Sequence, residues 1–250
     1  MSQFAVAASL ISLALSIFVG VRLLIAAVRT HRAPEVAMGT YQALVVAAIV
    51  VYAVLQRKAS VAPEWQSFFS WVVFANALIG LGVIALAVGI WRIYRSSEPW
   101  GAPLCAVLSI WVVASWAWTA MGDVVPTTVA PTWPNACFVA ARSSVYLWGA
   151  IEAIRFYGMM NRRAALGLGD AVVANQVLMW GLFSLSMGTL AIASLSAGVI
   201  LGDGYTNSIP ARFLTPTMSL VAAICLWLGF FPPAFYRRMV GGEAASAPTT

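Results

Sequence analysis

Apolar residues in this chain fall into long runs rather than into the alternation of a strand or the stripe of a surface helix. Seven stretches stand out, roughly residues 4–28, 38–55, 66–93, 101–121, 136–158, 171–201 and 212–236. A hydrocarbon core of about 30 Å takes about 20 helical residues to cross, so each run predicts a membrane-spanning helix. Proline, glycine and charge interrupt the pattern between them, as in "QRKASVAPEW", "GDVVPTTVAPTWPN" and "GDGYTNSIPAR". The pattern predicts an all-α integral membrane protein, a single bundle of seven transmembrane helices over residues 1–240. The small, polar tail "GGEAASAPTT", residues 241–250, has nothing to bury and is expected to be disordered.

Charge orients the bundle. Near span ends on the side of the first, third and fifth loops and the C-terminus lie Arg29, Arg32, Arg92, Arg95, Arg155, Arg162, Arg163, Arg237 and Arg238. The other side carries Arg57, Lys58 and Arg212, and nine against three places the C-terminus in the cytoplasm. The first run has no basic segment before it and its positive charges follow it, so it reads as a retained span with the N-terminus outside. In the cytoplasmic loops Glu35, Glu98 and Asp170 precede the next run, where a helix N-terminus favours negative charge.

Composition narrows the function. Apolar residues make up 62% of the chain and charged ones 9%, with mean hydropathy +0.88, so lipid is the solvent and the bilayer the first partner. The net charge of +6 is scattered over span ends rather than gathered with interleaved aromatics, which argues against nucleic acid. Cys105, Cys137 and Cys225 have no metal or disulfide spacing, and the only histidine, His31, leaves nothing for a haem or a histidine zinc site. The only lysine, Lys58, lies in an outside loop, so no retinal Schiff base is available on the seventh span. No G-x-S-x-G or H-E-x-x-H motif occurs; neither enzyme activity, cofactor nor metal is expected.

The fifth run carries the chemistry worth following. Arg142 lies two turns in from its outer end, and Glu152 lies about 15 Å further along the axis. Glu152 is three residues before Arg155, which predicts an intrahelical pair. Arg142 has no acid within a turn, and its nearest partner in sequence is Asp123, at the outer end of the fourth span. Arg142, Tyr146, Gly149 and Ala153 share one stripe that should face protein or water. Trp111, Ser115 and Trp118 align on the fourth span. They read either as an interfacial aromatic belt or as one wall of an outward pocket anchored by Arg142. Asn76, Asn175 and Gln176 are further intramembrane polar candidates, and Gly181, Ser184, Gly188 and Ala191 form a small-residue face for close helix packing.

Seven spans with the N-terminus outside resemble the topology of G-protein-coupled receptors, microbial rhodopsins and SWEET sugar transporters. Pro233 and Tyr236 in "PPAFY" are similar to the proline and tyrosine of the receptor motif N-P-x-x-Y, with Pro232 in the asparagine's place. The third span has no D/E-R-Y at its end and no cysteine at its start, the rhodopsin lysine is missing, and the hinge prolines of SWEET transporters are absent from the first, second, fifth and sixth spans. The stretches "RTHRAPEVAMG", "LGLGDAVVANQVLMWG" and "FFPPAFYRR" resemble uncharacterised bacterial seven-helix membrane proteins, a resemblance that implies no activity. The functional expectation is a receptor-like or sensory protein of a bacterial inner membrane. It would bind a small apolar or anionic ligand from outside at Arg142 and be read by a cytoplasmic or membrane partner. The alternatives are a small-solute transporter that uses Glu152 and a non-catalytic subunit or scaffold of a larger complex.

Overall fold

The computed structural model describes residues 3–59, 69–122, 132–201 and 209–241, and among them the chain is all-α. In a hydrocarbon solvent the backbone has to satisfy its own hydrogen bonds, and a helix does so within one segment. The helices are α1 (Gln3–Thr30), α2 (Ala33–Ala59), α3 (Phe69–Tyr94), α4 (Gly101–Met121), α5 (Trp133–Ala165), α6 (Ala171–Leu201), α7 (Ile209–Phe230) and α8 (Ala234–Gly241). The expected tail beyond residue 241 lies outside the described residues.

The helices outrun the apolar runs that announced them. The second run, read as 38–55, becomes the 27-residue α2, with Glu35 in its first turn. Hydropathy marks only the part of a helix that lipid surrounds, and polar residues can carry it into water. The seventh run, read as 212–236, is two helices, because Pro232 and Pro233 remove amide donors where the chain would continue.

The connections at one end are tight for local reasons. His31 takes a left-handed backbone (φ 52°), and its amide closes α1 on the Ala27 carbonyl at 2.9 Å. Gly167 (φ 71°) closes α5 in a Schellman turn, with Leu168 N–H on the Arg163 carbonyl and Gly167 N–H on the Ala164 carbonyl. Asp170 then caps α6 by accepting the Val172 amide at 2.7 Å. Glu98 does not cap α4; it lies 3.6 Å from Arg95 as an ion pair.

Neighbouring helices close a ring in the order α1, α2, α3, α5, α6, α7 and back to α1. Helix α4 lies against α3 and α5, and α8 against α6. The ring is filled, with Val19, Leu23, Tyr41, Val83, Leu86, Phe138, Val145, Phe183 and Leu226 in one core. Glycine sets several crossings: a Cβ on Gly89 would run into the Ala37 methyl, and one on Gly181 would lie 3.2 Å from the Ala153 methyl. The small-residue face expected on the sixth run thus meets α5, with Gly188 against Tyr146 and Leu147.

Among the described residues six helices are long and apolar enough to cross a membrane: Ala5–Thr30, Ala33–Leu55, Ser70–Tyr94, Gly101–Met121, Ala171–Ser196 and Phe213–Phe230. Leu10, Val28, Val107, Ile110 and Ile200 are exposed on the outside of the bundle, where water would make them an aggregation liability. The chain is a multi-pass integral membrane protein. Helix α5, expected as the fifth span, is not among the six.

Candidate functional site

Charge meets the bundle interior at two levels, both built on α5: Glu152 is buried and Arg142 half-buried. At the arginine-rich end, Glu152 is 4% exposed, and its Oε2 accepts hydrogen bonds from Arg95, 2.9 Å from Nε and 2.7 Å from an Nη. Arg95 follows directly on α3, so Glu152 lies level with the end of α3's apolar run and not deep in the bundle. The expected Glu152–Arg155 pair is replaced by this one. Arg155 is exposed, because α5 runs 13 residues past Glu152, or about 20 Å, beyond the end of α3. Arg95 also lies 4.8 Å over the Trp100 ring. Hydrogen bonding to the Glu152 carboxylate raises its pKa above the ordinary arginine value. Tyr94, whose buried hydroxyl has no hydrogen-bond partner among the described residues, packs edge-on against Phe156 beside the pair.

The second level is Arg142, ten residues back along α5. Its guanidinium lies 4.8 Å from the centroid of Phe138, one turn away, and its buried Nε has no hydrogen-bond partner among the described residues. Three phenols lie within its electrostatic reach: Tyr41 and Tyr52 of α2 and Tyr146 of α5. Tyr41 and Tyr146 share a hydrogen bond of 3.0 Å between buried hydroxyls. The Tyr52 hydroxyl donates to Asn76 Oδ1 on α3, also at 3.0 Å. Phe183 of α6 meets Tyr41 edge-on at 5.7 Å, so the cluster touches four helices. Among the described residues no carboxylate pairs with Arg142. Asp123, the expected partner, lies outside the described residues.

The rest of the expected pocket comes apart. Tyr146, Gly149 and Ala153 do face the interior, as their stripe predicted. Trp111 and Trp118 are 40% and 48% exposed on the outer face of α4, as an aromatic belt would be, and not beside Arg142. Ser115 is buried, but its hydroxyl bonds the Trp111 and Val112 carbonyls of its own helix. Trp116 is the tryptophan that turns inward, donating to the Val73 carbonyl of α3 at 3.1 Å. Asn175 bonds the Tyr236 hydroxyl and docks α8, while Gln176 lines a cleft at the arginine-rich end.

Arg95, Tyr41 and Tyr52 were missed as partners. Arg95 stands in the sequence among the nine arginines near span ends, and Tyr41 and Tyr52 sit in an apolar run with nothing around them to signal a charge. Among the described residues no group of histidine, cysteine or carboxylate side chains could hold a metal ion. No family model matches the chain, and no curated protein or solved structure is significantly similar to it.

Proposed function

We propose that the chain is a receptor-like membrane protein that crosses the bilayer seven times and holds a small organic anion at Arg142. The observation that carries this reading is a half-buried guanidinium with a buried Nε, within electrostatic reach of three phenols and with neither a hydrogen-bond partner for that Nε nor a carboxylate partner among the described residues. A charge in a low-dielectric interior is costly without a counter-ion, and a bound anion supplies one. Tyr41, Tyr146 and Phe183 connect the site to α2, α5 and α6, so occupancy would bias their packing for a cytoplasmic partner to read. Transport across the bundle would require the Arg95–Glu152 contact at the far end to open, which favours a receptor over a carrier.

In this reading α5 is the fifth span. Ile151 and Ile154 are exposed on its outer face, as lipid contact requires, while Glu152 is buried and Arg142 half-buried. The excess of arginines at one end supports a cytoplasmic C-terminus and an outside N-terminus, and the reading takes the membrane to be a bacterial inner membrane. An impermeant thiol reagent applied to intact cells should then label a cysteine at Gly122 and spare one at Ser97.

Thermal unfolding in detergent with acetate, benzoate or salicylate, against chloride, tests the site. An anion at about a hundredfold its Kd should stabilise the wild type by about 2.7 kcal/mol. Arg142→Met should abolish that effect and be no less stable than wild type in its absence, since it removes an uncompensated charge. Strong destabilisation by Arg142→Met without ligand would mean that the charge is already paired, and would sink the proposal.

A further inference from the structure

At the arginine-rich end, on the far side of the bundle from the Arg142 site, a cleft of about 840 Å³ opens between α1, the start of α6 and α8. Arg22, Arg237, Arg238, Asp170, Gln176 and Phe231 are among its lining residues. We propose that this cleft binds a phosphate group at the membrane interface, that of an anionic phospholipid headgroup or of a soluble phosphate ester.

The charge balance comes first. Three guanidinium groups face one carboxylate, and Asp170 is already engaged with the Val172 amide at the start of α6. Among the described residues none of the three arginines forms an ion pair. Arg22, an exposed residue, lies instead against an edge-to-face pair of rings, 5.6 Å from the Phe18 centroid and 5.3 Å from that of Phe231. Ring faces fix a guanidinium without neutralising it, and its N–H groups remain able to donate to phosphate oxygens. The N-terminus of the 31-residue α6 adds a favourable dipole.

Depth comes second. Along α1, Arg22 lies eight residues before the helix end, which would put it about 12 Å inside a membrane that ended at Thr30. Its contact with Phe231, just past the end of α7, shows that the last turns of α1 project beyond α7. Arg22 is therefore level with Pro232 and Asp170, where headgroup phosphates lie. Helix α8 fixes the same plane: Tyr236 is docked to Asn175, while Phe235 and Met239, one turn apart, are exposed as an apolar face for the lipid surface. The arginines supply the phosphate contacts, and Phe230, Phe231, Val172 and Val173 give the cleft an apolar lining suited to acyl chains.

Native mass spectrometry of the delipidated protein, titrated with phosphatidylglycerol, phosphatidylcholine or soluble glycerol phosphate, tests this. The wild type is compared with the triple variant Arg22→Gln, Arg237→Gln, Arg238→Gln and with the control Arg92→Gln, an exposed arginine of the same end. We expect one tightly held phosphatidylglycerol and weaker phosphatidylcholine. Phosphatidylglycerol affinity should fall at least about tenfold in the triple variant, a total loss of about 1.4 kcal/mol, and stay unchanged in the control. If glycerol phosphate binds with the same arginine dependence and the lipid does not, the phosphate site stands and its source is soluble. Equal lipid retention by wild type and triple variant, or equal loss in the control, overturns the proposal. If the triple variant does not fold, the single Arg22→Gln change is read by the same criterion.

Discussion

The Arg95–Glu152 contact predicts an asymmetric mutational response. Removing Arg95 (Arg95→Leu) leaves the Glu152 carboxylate buried with no cation in reach on its own helix, because Arg155 points outward. Stranding a buried charge costs about 3–5 kcal/mol. Removing Glu152 (Glu152→Gln) is milder, about 1.5–3 kcal/mol for a lost charge-assisted hydrogen bond, because Arg95 keeps Glu98 at 3.6 Å and a route to water. With the two charges about 4 Å apart at an effective dielectric near 20, their gross attraction is about 4 kcal/mol. A double-mutant cycle with Arg95→Leu and Glu152→Leu should recover a coupling of about 2–3 kcal/mol after desolvation, against about 0.5 for an exposed i,i+3 pair. Tryptophan fluorescence during denaturant unfolding in micelles measures all of these. Arg155→Gln should change stability by no more than about 0.5 kcal/mol. A coupling below about 1 kcal/mol, or a larger effect at Arg155 than at Arg95, would refute the reasoning.

Three further outcomes follow from the packing. Gly89→Ala should cost about 1–3 kcal/mol in the same unfolding assay, because its new methyl meets the Ala37 methyl where α2 and α3 cross. Tyr41→Phe and Tyr146→Phe should each cost about 1–2 kcal/mol by orphaning the other hydroxyl, and the double variant should cost less than the sum. Asn175→Leu removes the bond that docks α8, so limited trypsin digestion should cut after Arg237 and Arg238 faster than in wild type.

How much was legible in the chain can be followed residue by residue. The apolar runs were visible because lipid demands about 20 consecutive apolar residues, a local property that needs no knowledge of neighbours. The capping role of Asp170 was visible for the same reason, since a capped amide lies two residues away. The break between α7 and α8 at Pro232 and Pro233 was not read, because the apolar run continues across it as one span.

Partners across the bundle were not legible. Arg155 was the nearest cation to Glu152 along the helix, but the folded chain brings Arg95 within 2.7 Å from 57 residues away. Trp111 and Trp118 were candidates for a pocket, yet the rotation of α4 against α3 and α5 turns them outward and Trp116 inward. Depth was equally hidden: Glu152 reads as a charge well inside the fifth run, and the folded chain brings it level with the end of α3, where Arg95 meets it. By itself, then, the sequence determined that this chain is a helical membrane protein, because hydropathy acts on each segment separately. Only the tertiary structure decided which charges meet and at what level, because helix rotation and relative depth emerge from packing all the helices at once.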